Sequence, residues 1–101
     1  MPWLRRKRIQ VDLDPLQVAV VVFLLQHGAA PERTLFGEVA AGMYASRSDF
    51  LGAVASLVER GILEPRLQPE DGSAWFVLGP LGKRLKGKIP AGVRSGVAVY
   101  V

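Results

Sequence analysis

Apolar and polar positions change period several times along the chain, and each change marks an element. After Ser46, the apolar residues Phe50, Leu51, Val54, Leu57 and Val58 fall on one face of a helix. Ser46 and Asp49 have the spacing of a capping box, and Gly61 supplies the left-handed stop common at helix ends. Residues 62–67 and 74–78 read as two short strands around the acidic turn 68–73. Upstream, Ile9, Val11 and Leu13 alternate with Gln10 and Asp12, the pattern of a half-buried strand. Asp14 is a helix cap with Pro15 at the first helical position. Residues 16–27 are apolar nearly all round, which predicts a deeply buried helix, although their Val cluster would also suit a strand. Gly28 ends this segment, and residues 29–32 read as a loop.

Residues 33–43 predict a second helix with Leu35, Phe36, Val39, Ala40 and Met43 inward. Pro80 starts a short helix in which Leu81 and Leu85 share a face, and Gly87 stops it. Residues 89–96 form a Pro- and Gly-containing link. Val97, Val99 and Val101 then alternate with Ala98 and Tyr100, a last strand that needs a partner. The segment at 9–13 is the natural one, within one chain or across a dimer. The fold class is therefore α+β: a winged helix-turn-helix with a three-helix core, a hairpin wing, a short fourth helix and extra terminal strands. Residues 1–8 form a basic arm, 9–88 the winged-helix domain, and 89–101 a link and strand.

Composition bounds the function. A chain of 101 residues with half its positions hydrophobic suits one domain with a modest core. With no Cys and one His, His27, neither disulfides nor clustered thiolate or imidazole metal sites can form, so no metal or cofactor is expected. His27, near a helix end, reads as structural. The apolar run 18–25 falls far short of the roughly 20 residues that span a bilayer. Cleavage near Ala30 would remove the first helix, so a secretory leader is not read here, and a cytoplasmic location is expected. No Ser–His–carboxylate set or nucleophile elbow is visible, and Gly82-Lys83 lacks the flanking residues of a phosphate loop. The chain does not read as an enzyme.

The net charge of +4 is unevenly spread. Arg5, Arg6, Lys7 and Arg8 make the first eleven residues basic, and Lys83, Arg84, Lys86, Lys88 and Arg94 do the same for the last nineteen. The body between them holds all nine acidic side chains against four basic ones. A polyanion would be held mainly by the two ends.

The segment Leu57-Val58-Glu59-Arg60-Gly61-Ile62-Leu63-Glu64 resembles the recognition-helix ending of the multiple-antibiotic-resistance regulator (MarR) family. Leu13-Asp14-Pro15-Leu16-Gln17 is similar to the start of that family's core. Pro69-Glu70-Asp71-Gly72-Ser73 and Leu78-Gly79-Pro80-Leu81-Gly82 occupy its wing positions. The resemblance covers about residues 13–86. It implies a winged-helix core, transcriptional regulation and binding of double-stranded DNA. Ser73 stands where the family's wing carries an Arg that enters the minor groove, and the family's long flanking dimerisation helices have no counterpart in this chain.

The candidate DNA-contacting residues are Arg5, Arg6, Lys7, Arg8, Arg47, Ser48, Ser56, Ser73, Lys83, Arg84 and Lys86. The basic arm could follow phosphates or enter a minor groove, or be a solvated charge cluster. Trp3 and Leu4 beside it leave an anionic membrane surface as a further, less favoured partner. The cations of the fourth helix also suit a helix C-terminus. The exposed face of the third helix should present Ser48, Asp49, Gly52, Ala55, Ser56 and Glu59, poor in the Arg, Lys, Asn and Gln that read base edges. A protein partner is the alternative, bound through Asp49, Glu59, Trp75 and Val77. Trp75 and Val77 should face away from the core, covered by the terminal strands or a second subunit, or exposed as an anchor.

Overall fold

The alternation near the N-terminus is realised as strand β1 (Gln10–Leu13) in the computed structural model, which describes residues 8–93 and 95–101. Helix α1 (Pro15–His27) follows, then β2 (Ala29–Pro31), α2 (Glu32–Leu35) and α3 (Arg47–Glu59). The wing strands β3 (Leu63–Leu67) and β4 (Ala74–Leu78), the short α4 (Pro80–Lys83) and β5 (Val97–Tyr100) complete the chain. Two antiparallel sheets result, one pairing β1 with β5 and the other ordered β2-β4-β3.

Helix α1 opens on a complete capping box. The Gln17 backbone N–H donates to Asp14 Oδ1 at 2.8 Å, and the Asp14 N–H donates to Gln17 Oε1 at 3.1 Å. The Gln17 side chain, buried, also donates to the Ala53 carbonyl on α3 at 3.4 Å. Val18, Val20, Val21 and Leu24 are buried, and Ala19, Val22, Phe23 and Leu25 pack partly buried against the same core. The helix lies in the middle of the domain, as its all-round apolar character predicts.

Residues 29–32, expected as a loop, are corrected in part: Ala29–Pro31 is extended and hydrogen-bonded along the edge of β4, with Ala30 opposite Phe76. Pro31 fits an edge strand because its missing N–H is not needed there. The second helix is not continuous. One α-turn passes into a π-helix over Phe36–Ala40 and a 3-10 turn over Ala41–Met43. Leu35, Val39 and Ala40 are buried, and Phe36 stands edge-on to Phe50 at 5.5 Å. Met43, expected inward, is exposed, because the tightened last turn runs into Tyr44 in the left-handed region at φ 57°.

Helix α3 carries the predicted capping box, with the Asp49 N–H donating to Ser46 Oγ at 3.0 Å. Its buried face is Phe50, Ala53, Val54 and Leu57. Leu51, expected inward, is 44% exposed, one position off that stripe. Gly61, at φ 73°, turns the chain into β3. The Gly79 N–H donates to the Ile62 carbonyl and the Leu81 N–H to the Gly61 carbonyl, so α4 is stapled onto this turn. A Cβ on Gly82 would sit 2.1 Å from the Ile62 carbonyl oxygen, a contact only glycine permits.

The terminal strands pair within one chain, Val11 opposite Val99 and Leu13 opposite Val97, extended by two hydrogen bonds between Ile9 and Val101. Val11 and Leu13 form the inner face of this ribbon and are buried against the core. Arg60, capping the C-terminal end of α3, donates from Nη1 to the Asp12 carbonyl at 2.7 Å and ties the ribbon to that end of the helix.

Candidate nucleic-acid interface

Two surfaces carry the candidate residues, at opposite ends of α3. The wing groove reaches Arg47 at the start of α3, and the basic cleft shares Arg84 with a depression at Arg60 just past its end, a helix length of about 20 Å away.

The first surface takes in the N-terminal end of α3, the outward face of that helix and the wing turn. Ser48, Asp49 and Glu59 are exposed on α3 and Ser56 is half-buried. With Asp14, Gln17 and Tyr44, three of them (Ser48, Asp49 and Ser56) line a cleft of about 780 Å³ between the starts of α1 and α3. Its charged groups are the carboxylates Asp14 and Asp49, so this face is acidic and hydroxylic. Tyr44, in the turn before α3, is 97% exposed.

Arg47, the cation at the start of α3, is already engaged. Its Nη2 donates to Glu32 Oε1 at 3.3 Å, and its guanidinium lies 5.5 Å from the centre of the Phe36 ring. Arg47 and Glu32 open onto a groove of about 540 Å³ between the helices and the wing, which Arg33, Glu70, Asp71 and Trp75 also line. The wing turn is held by Asp71, whose Oδ1 accepts from the Ser73 N–H at 2.9 Å. This backbone hydrogen bond, then one from the Ser73 side chain, lowers the carboxyl below its ordinary value of 3.8. The Ser73 hydroxyl accepts from Trp75 Nε1 at 3.1 Å, so the residue at the wing-tip position is tied into the turn.

Trp75 and Val77 face away from buried Phe76, as the alternation predicts, and both are half-buried. Their flanking strands are β2 and β3: Trp75 stands opposite Pro31 and Arg66, and Val77 opposite Ala29 and Glu64. The terminal strands, expected as one possible cover, form their own sheet. β2 flanks the pair within the same sheet, and it is invisible in the sequence because three residues with a Pro carry too little pattern to distinguish a strand from a loop.

The second surface gathers the basic ends. Arg8, Arg84 and Lys88 line one cleft of about 470 Å³ with Tyr100 and Val101. Arg84 also borders a shallow apolar depression with Ile9 and Arg60. Lys83 and Lys86 are exposed. Arg5, Arg6 and Lys7 lie outside the described residues, as do Trp3 and Leu4. His27 stacks on Phe23 with ring centres 4.2 Å apart. Among the described residues no three His, Asp or Glu side chains are placed to hold a metal ion, and no helix is long and apolar enough to cross a membrane.

Sequence reasoning passed over Glu32 and Arg33, which border the wing groove, and Tyr100 in the basic cleft. Glu32 lies fifteen positions from Arg47, and only the packing of α3 against the Phe36–Ala40 segment that follows α2 brings them together.

Neither a protein-family model nor a curated protein matches the sequence. Solved structures do. A probable transcriptional regulator from Pseudomonas aeruginosa is 27% identical, with a TM-score of 0.61 over 71% of this chain and 52% of that one. The PcaV transcriptional regulator from Streptomyces coelicolor is also 27% identical, with a TM-score of 0.62 over 72% and 52%. A MarR-family transcriptional regulator from Silicibacter pomeroyi shares the fold at 17% identity, with a TM-score of 0.61 over 75% and 49%. The domain is a winged helix resembling the MarR-family core. The chain spans about half the length of these regulators.

Proposed function

We propose that this MarR-like winged helix is a small DNA-binding protein that regulates transcription without catalysis. The observation that carries the reading is its structural likeness to solved transcriptional regulators over about three quarters of the chain. In this reading the basic segments, Arg5 to Arg8 together with Lys83, Arg84 and Lys86, hold the phosphate backbone of duplex DNA. Arg47, Ser48 and Ser56 make limited groove contacts, with Ser73 at the wing. Because phosphate contacts dominate, binding is steeply salt-dependent and weakly sequence-selective. A cytoplasmic location fits this role. A homodimer through the terminal strands would have to use the outer edges of β1 and β5, whose inner edges pair with each other.

Titration of unrelated labelled duplexes at two salt concentrations tests the reading. Replacing Arg5 to Arg8 by Ala should weaken binding to all of them, and unchanged affinity would sink the proposed grip. A second reading, a module that recruits a protein partner, is favoured by the acidic cleft beside α3 and the half-buried Trp75–Val77 pair. An Asp49→Lys, Glu59→Lys double variant separates the two: it strengthens DNA binding if α3 approaches phosphates, and disrupts only a protein complex in the second case.

A further inference from the structure

We propose that the cleft formed by Arg8, Arg84 and Lys88 is a seat for one phosphate group, distinct from the α3–wing face. Three cations from two remote parts of the chain, Arg8 at one end and Arg84 with Lys88 at the other, are brought to one concavity by two separate devices. Pairing of β1 with β5 places Arg8 at the end of the ribbon beside Tyr100 and Val101. Stapling of α4 onto the α3–β3 turn sets Arg84, and Lys88 follows with its N–H donating to the Leu85 carbonyl at 2.9 Å.

No Asp or Glu side chain lines the cleft, and among the described residues neither ion pair involves these three cations. The residues outside the description add no acid, since 1–7 and 94 contain none. Arg60 adds a further positive charge next to Arg84, with its Nε buried and without a hydrogen-bond partner. Elsewhere the fold uses its basic side chains differently: Arg47 meets Glu32 and Arg66 meets Glu64.

Like charges held together without an acidic side chain among them repel one another, and an anion relieves that repulsion. Two guanidinium forks and an ammonium suit a tetrahedral phosphate, because the forks bond its oxygens in pairs and Lys adds a point charge. The Tyr100 hydroxyl donates to Gln10 Oε1 at 3.2 Å, which fixes the ring as a wall of the cleft. The phosphate can belong to a nucleic-acid backbone or to a free phosphorylated compound. Arg8 and Arg84 also belong to the proposed DNA grip, but the seat rests on the geometry of this cleft and not on duplex binding, and it lies at the opposite end of α3 from the wing turn.

The test follows backbone amide signals of the full chain while inorganic phosphate replaces chloride at constant ionic strength. Signals of Arg84, Lys88 and Tyr100 should move saturably, and an Arg84→Gln, Lys88→Gln double variant should lose the response while keeping its remaining spectrum. Equal effects of phosphate and chloride, or a response that survives in the variant, overturn the proposal. Because Val101 borders the cleft, a chain extended by two neutral residues is a needed comparison. A phosphate response confined to that extended chain shows the terminal carboxylate filling the seat, and also overturns it.

Duplex binding by the same variant identifies the source. A loss of about tenfold with a salt slope lower by about one assigns a backbone phosphate. Unchanged duplex affinity assigns a free phosphorylated compound. A native chain that responds to phosphate yet binds no duplex keeps the seat and refutes the DNA reading alone.

Discussion

Replacing Glu32 by Gln asks whether the start of α3 faces a polyanion. The carboxylate lies 3.3 Å from Arg47 Nη2, with the two side chains 26% and 62% exposed. At that separation in a water-like dielectric the Coulomb attraction is about 1.3 kcal/mol, and the cost of ordering two side chains leaves about 0.5 kcal/mol. Duplex binding by Arg47 must first break this contact. The Gln variant removes that cost and one negative charge beside the incoming phosphates, which adds a similar amount. The sum, about 1 kcal/mol, corresponds to roughly fivefold tighter duplex binding at low salt. The salt slope should steepen, since one more cation is free to displace counter-ions. Fluorescence anisotropy with a short labelled duplex, repeated at several salt concentrations, measures both quantities. Urea unfolding should show a stability loss below about 1 kcal/mol. Unchanged or weaker duplex affinity, with the fold intact, would refute the placement of α3 against DNA.

Three further outcomes follow from the fold. Gly82→Ala forces a Cβ to within 2.1 Å of the Ile62 carbonyl oxygen, so α4 must lift from the α3–β3 turn; the expected loss is about 2–3 kcal/mol in urea unfolding, and a neutral effect would refute this packing. Ser46→Ala removes the acceptor of the Asp49 N–H and should cost about 1 kcal/mol by the same assay, unless the cap does not form. Asp71 should titrate below its ordinary 3.8 when its carboxyl carbon is followed by NMR. A depressed folded-state value means its contribution is fully present above the unfolded value and is lost as pH falls through the folded one. The Ser73 amide signal should therefore follow the same titration with its midpoint below 3.8, and a midpoint at or above 3.8 would remove the turn hydrogen bond as the cause.

Much of the architecture was legible because its signals are local. A capping box needs four consecutive residues, and Ser46–Asp49 forms the expected one, while Asp14, expected only as a cap, completes a second box with Gln17. The positive φ at Gly61, the two wing strands and the alternation of the terminal strands likewise follow from short-range sterics and side-chain period. What failed lay where local signals are weak or divided. Residues 29–31 are too short to show a period, residues 33–43 contain two glycines and wind three ways, and Leu51 lies at the edge of its helical stripe.

The candidate site was less legible, because charge along the chain does not say which charges meet. The sequence alone determined that both ends are basic, that the body is acidic, and that the third helix presents few base-reading side chains. Only the tertiary structure decided that Arg47 is paired with Glu32, and that Arg8, Arg84 and Lys88 share a cleft at the other end of α3. The physical reason is reach. Capping, turn and alternation preferences act over a few residues, whereas Coulomb interactions depend on distances set by β1–β5 pairing and helix packing, which join residues ninety positions apart as readily as neighbours.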